Sequence, residues 1–99
     1  MTELTPVACD DRELKRMAYR IGLFQRRGID ERYAYELADR LLERDRERDD
    51  RRVCLECKHL QRSGACFQAQ QGLLRDATRD HHPVRDLFQR CEGFSWQRP

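Results

Sequence analysis

The sequence predicts a mainly α-helical protein: an antiparallel helical hairpin over residues 10–50, then a small irregular and partly helical four-cysteine module over residues 51–99. Three observations predict it. Two stretches of the first half place apolar residues at helical spacing, each behind an aspartate suited to capping a helix. Only Arg27-Gly28-Ile29-Asp30 separates them, a length that brings two helices back antiparallel. Four of the five cysteines fall after residue 53, where strand and long-helix patterns are weak.

Residues 1–9 read as a flexible lead, with Pro6 opposing an early helix and Cys9 as a spare thiol. Asp10 stands three residues before Glu13, the spacing of a capping box. Leu14, Met17, Ala18, Ile21 and Phe24 then form one apolar stripe, and Arg12, Lys15, Arg16, Arg20 and Arg27 fall largely off it. Gly28 suits the left-handed residue that ends many helices. Asp30 caps the second helix, with Ile29 placed to pack on Ala34 and a stripe of Tyr33/Ala34, Leu37/Ala38 and Leu41/Leu42. From Glu43 to Arg52 the chain is almost purely charged, so the second helix either runs on as an exposed extension or frays near Asp49 and Asp50.

The second half is less regular. Gln61-Arg62-Ser63-Gly64 reads as a turn. Residues 67–79 are compatible with a helix weakened by Gly72, and Pro83 suits the start of another with Val84, Leu87 and Phe88 on one face, ended by Glu92-Gly93. A short strand is expected at most over 52–55. Phe94 and Trp96 are expected to fold back and close a small core.

Cys54, Cys57, Cys66 and Cys91 are spaced C-x2-C-x8-C-x24-C. A C-x2-C turn lets two thiolates reach one ion from a single backbone knuckle, and zinc prefers four such ligands in a tetrahedron. One structural Zn2+ per chain is therefore the expected cofactor, held by these four cysteines. Alternatives are a histidine (His59, His81 or His82) replacing one of them, a four-iron, four-sulfur cluster (4Fe–4S), or four unliganded core cysteines. Clustered cysteines suit a reducing, cytoplasmic setting better than a disulfide framework. No apolar run approaches a membrane span, and no basic-then-apolar leader opens the chain.

Catalysis has no constellation behind it. Glu56 lies between two candidate ligands, yet no H-E-x-x-H motif, phosphate loop or nucleophile elbow is present, and four cysteines would close the metal site. A non-enzymatic protein without a small-molecule substrate is expected. Residues 1–50 carry 11 basic and 13 acidic side chains, and residues 51–99 carry 9 and 5, so the cysteine half is the basic one. Its candidates for phosphate contact with DNA or RNA are Arg51, Arg52, Lys58, Arg62, Arg75, Arg79, Arg85 and Arg90. Charge runs of this kind also occur as solvated faces. For a protein partner or complex, the candidates are Tyr19, Leu23, Tyr33 and Tyr35, on the assumption that they lie outside the hairpin's internal stripe.

The stretch Asp49-Asp50-Arg51-Arg52-Val53-Cys54-Leu55-Glu56-Cys57-Lys58-His59-Leu60, with Arg90-Cys91-Glu92-Gly93-Phe94, resembles small four-cysteine, zinc-finger-like proteins of proteobacterial phages, plasmids and other mobile elements. Residues 27–46 resemble them as well. The resemblance implies an accessory protein of DNA replication, transfer or host defence, and it supplies no catalytic residues.

Overall fold

The computed structural model describes residues 10–97, so the lead over 1–9, with Cys9, lies outside the described residues. Helix α1 spans Asp11–Arg26 and α2 spans Glu31–Arg46. The capping box forms as expected: Asp10 Oδ1 accepts from the Glu13 amide at 2.8 Å, and Glu13 Oε1 accepts from the Asp10 amide at 3.2 Å. Asp30 caps α2 by accepting from the Tyr33 amide at 3.0 Å.

Gly28 ends α1 in the left-handed region (φ 90°), and the Ile29 amide reaches back to the Phe24 carbonyl at 2.9 Å. This is a Schellman ending, in which the residue after the left-handed one bonds five positions back. Helix α2 ends the same way, with the Asp49 amide on the Arg44 carbonyl at 3.0 Å, but its left-handed residue is Arg48 (φ 58°). The charged run is therefore a closed helix end and not an exposed extension.

The two helices pack against each other, and the core they form continues into the second half. Leu23, Phe24, Ala34, Leu37 and Leu41 share one buried cluster with Val53, Leu55 and Leu60, with Ile29 and Phe88 packed against it. The expected apolar stripe of α1 is rotated. Leu14 is 53 % exposed and Ala18 lies at the surface, whereas Arg20, Leu23 and Phe24 point inward. The inward face follows residues 13, 17, 20, 24 and 27, so Arg20 and Arg27 sit on it. Acceptors in the second half decide that phase, and they are invisible to a reading of apolar spacing.

After a 3-10 turn at Cys54–Glu56, the only further α-helix among the described residues is α3, Phe67–Gln70. The expected helix over 67–79 stops there because Gly72 turns left-handed (φ 73°) and the Leu73 amide bonds the Gln68 carbonyl at 3.0 Å. The helix expected from Pro83 does not form either. Arg52 and Gln89 exchange backbone hydrogen bonds at 2.7 and 2.8 Å, and the Arg85 carbonyl accepts from the Leu55 amide at 3.1 Å. Residues 83–91 thus spend backbone groups on 52–55 that a helix would have kept internally. In place of the short strand there are isolated antiparallel bridges, Arg52 to Gln89, Cys57 to Trp96 and Leu60 to Cys66. The return of the chain end is as expected: Trp96 pairs with Cys57, and Phe94 meets it edge to face at 5.0 Å.

Candidate metal centre

The cysteines are positioned by the 3-10 turn and the bridges around it. The Cys57 amide donates to the Cys54 carbonyl at 2.9 Å, closing the knuckle, and the His59 amide donates to Cys57 Sγ at 3.5 Å. Arg27, at the end of α1, clamps the knuckle from outside, with Nη1 at 2.9 Å from the Cys57 carbonyl and 3.4 Å from that of Cys54. Cys66 is brought alongside by the bridge to Leu60 and by the Phe67 amide bonding the His59 carbonyl at 2.8 Å. Cys91 arrives two residues after the Arg52–Gln89 bridge and is the exposed member.

All four are free thiols. Burial first, then the neighbouring Cys57, Cys91 and Cys66, push the Cys54 thiol up to about 12. The four sulfurs therefore share one electrostatic neighbourhood, although among the described residues no three His, Cys, Asp or Glu side chains gather into a cluster of metal-site geometry. Four soft thiols from three separate segments are the donor type that zinc takes, with the His59 amide directed at Cys57 Sγ and Gln89 Nε2 at Cys54 Sγ. Two of the three histidines are engaged elsewhere. His59 Nε2 meets Gln68 Nε2 at 3.2 Å, and His82 Nδ1 meets the Asp80 carbonyl at 2.6 Å.

Glu56, between the two knuckle cysteines, turns the other way. It is 3 % exposed, its Oε1 meets Arg44 Nη1 at 2.5 Å, and its Oε2 lies 3.0 Å from Arg44 Nη2 and 3.3 Å from Arg20 Nη2. Arg20 also bonds Asp45 at 2.8 Å, as does Arg44 at 2.9 Å. Burial would raise the Asp45 carboxyl, but hydrogen bonds from Arg44 and Arg20 outweigh it and hold the group below its ordinary range. This buried group of two guanidiniums and two carboxylates joins α1, α2 and the knuckle. Sequence reasoning missed it by treating the charged run as solvated. The available signal was phase: Arg44 continues the Leu37–Leu41 stripe, and Arg20 lies four residues before Phe24.

The other candidate residues divide clearly. Lys58, Arg62, Arg75 and Arg79 are exposed, and none of their side chains forms an ion pair among the described residues. Arg51 pairs with Asp49 at 2.7 Å and Arg90 with Asp50 at 2.8 Å. Arg52 and Arg85 direct Nη1 at backbone carbonyls, Arg85 onto Arg27 at 2.9 Å. Of the proposed partner-facing residues, Leu23 is buried in the core, Tyr19 donates to the Gln97 carbonyl at 3.0 Å, and Tyr33 donates to Asp86. Tyr35 alone of the four stays exposed, at 52 %. Among the described residues, no helix is long and apolar enough to cross a membrane. No protein-family model, curated protein or solved structure matches the chain.

Proposed function

We propose that this is a small zinc-stabilised, non-enzymatic accessory protein that binds nucleic acid or a nucleic-acid-processing complex, in the setting of a mobile element and the cytoplasm. Cys54, Cys57, Cys66 and Cys91 would hold the ion. Bound there, zinc would neutralise the crowded thiolates and cross-link segments that have little regular structure of their own. Arg27 and the His59 amide orient the knuckle in that scheme.

The observation that carries the nucleic-acid reading is the set of exposed cations on the cysteine half that form no ion pair among the described residues: Lys58, Arg62, Arg75 and Arg79. An arginine already neutralised by a carboxylate has little to gain from a phosphate, so these four are the best placed to release counterions on binding. Arg51 and Arg90, paired with aspartates, contribute less. The protein-interaction reading keeps Tyr35 and loses Tyr19, Leu23 and Tyr33 to internal packing.

The test is elemental analysis with native mass spectrometry, followed by gel-shift titration of short DNA and RNA at rising salt. One zinc per chain and a shift abolished by salt are expected. Iron near four per chain would replace the reading with a redox or sensing role. Charge reversal at Arg75 and Arg79 should weaken the shift and flatten its salt dependence; an unaltered shift would sink the assignment of these residues.

A further inference from the structure

A cavity of about 670 Å³ opens between the hairpin and the cysteine half, a volume typical of small-ligand sites. It is lined by Arg16, Tyr19 and Arg20 of α1, by Asp45 of α2 and Arg48 just beyond it, and by Glu56 and Trp96 of the cysteine half. Four carboxylates and four guanidiniums line it, but they are not equivalent. Asp45 and Glu56 belong to the buried group with Arg20 and Arg44, Asp49 is taken by Arg51, and Asp50 is taken by Arg90. Every lining carboxylate is thus already neutralised by at least one arginine. On the cationic side Arg48 makes no side-chain hydrogen bond or ion pair among the described residues. Arg52 lies 4.8 Å over the Trp96 ring and spends only Nη1, on the carbonyls of Asp49 and Arg51. The 96 %-buried Arg20, also on the lining, keeps Nη1 without an acceptor among the described residues. Counting the arginines that reach in from outside the wall, seven guanidiniums share four carboxylates.

Arg48 adds an observation of a different kind. The three α-helices end in the same backbone motif, and two of them place glycine at its left-handed position, Gly28 and Gly72. At the third the chain holds an arginine in a conformation that favours glycine, with its side chain on the cavity wall.

We infer that this cavity is a binding site for a phosphate group, with Arg48 and Arg52 as its donors; Arg16, also on the lining, is already paired with Asp45 at 3.3 Å. Guanidinium forks arriving from the turn after α2 and from the segment that follows suit a tetrahedral oxyanion that accepts on several sides. The phosphate could belong to a free ion, a mononucleotide or the end of a nucleic-acid strand. The site stands apart from the exposed cations of the cysteine half and does not depend on them.

Trp96 is the single tryptophan of the chain, so its fluorescence reports on the cavity directly. Intact, metal-loaded protein is titrated with inorganic phosphate, with a 5′-mononucleotide, and with an oligonucleotide with and without a 5′-phosphate, all at constant ionic strength. A saturable change with phosphate that chloride does not reproduce is expected. Arg48→Gly should weaken it about tenfold while keeping or raising the melting temperature, because one charge-assisted contact is lost and the backbone relaxes. Arg48→Lys should recover part of the affinity. An equal response to chloride, or unchanged phosphate affinity in folded Arg48→Gly, overturns the site. Tighter binding of the mononucleotide, or of the 5′-phosphorylated strand, supports the site and identifies its source. Phosphate binding without any oligonucleotide binding overturns the nucleic-acid reading and leaves the cavity assignment standing.

Discussion

The hairpin and the cysteine half hold themselves together by different means. In residues 10–46 each backbone bond closes within a few positions, and a cap, a stripe and a stop signal suffice to define each helix. In residues 52–97 the decisive bonds join distant partners, such as Lys58 to Ser95 at 2.8 Å, Gln97 to Glu56 at 2.8 Å and Cys66 to His81 at 3.1 Å. Long-range bonds close large loops, and the entropy of those loops must be met by something other than local propensity. A metal held by cysteines from three segments would meet it. The comparison teaches that the two halves need different supports while sharing one core and one buried charge group.

The largest effect is expected from removing the proposed zinc. Chelation, or Cys57→Ala, should unfold the cysteine half, since binding energy at such a site is on the order of 10 kcal/mol and is folding energy. The shared core extends the loss to the hairpin, whose helicity should fall as well. Circular dichroism and amide exchange before and after chelation check this; a hairpin that keeps full protection would show that it is self-sufficient.

Next in size is the joint between the halves. Glu56→Gln leaves Arg20 and Arg44 buried against Asp45 alone, and breaking a buried pair from one side costs about 3–5 kcal/mol. Urea titration should show a single, earlier transition. A loss confined to a few tenths of a kcal/mol would mean that the guanidiniums find water or other acceptors.

Acid acts more gradually, on Asp45 of this joint and on the ion pairs of Glu13 and Asp50. The hydrogen bond from Arg46 holds the Glu13 carboxyl down at about 2, and Asp45 and Asp50 are also lowered, Asp50 chiefly by its hydrogen bond from Arg90. A depressed carboxylate contributes stability that is present above its unfolded value near 4 and lost as pH falls through the folded one. Denaturation midpoints should therefore change little between pH 7 and about 5 on account of these groups and fall below about 4. A midpoint that rises below pH 4 would contradict the ion pairing.

The smallest effect has the opposite sign. Arg48→Gly should stabilise the fold by about 0.5–1 kcal/mol by relieving the left-handed arginine. Thermal melts resolve a shift of that size, and a loss of stability would show that the Arg48 side chain supports the fold.

The contrast also marks what the sequence could reveal. Both helices, their caps and the Gly28 stop were legible, because each signal and its structural consequence lie within one or two turns. The knuckle spacing was legible for the same reason. The phase of α1 was not, since Leu14 looks as apolar as Leu23 until one knows that Glu56 and the Cys57 carbonyl wait on the other side. The helices expected over 67–79 and after Pro83 failed for a related reason. Gly72 takes a stop conformation, and residues 85 and 89 pair with residues 55 and 52, a competition that local propensity does not register. The grouping of the thiols around Cys54 likewise depends on where the chain brings Cys91, 34 residues beyond Cys57.

The position of Glu56 also bears on how the protein is made. A ribosome releases the hairpin first, at a stage when Arg20 and Arg44 have only Asp45 as a counter-ion and Leu23 and Leu41 have no cover from Val53 and Leu55. Nascent α1 and α2 are therefore assembled provisionally, and their final packing waits for the emergence of residue 56 and then of Trp96 and Gln97. Translation order and the order of structural commitment run in opposite directions: α1 is secured by residues made after it.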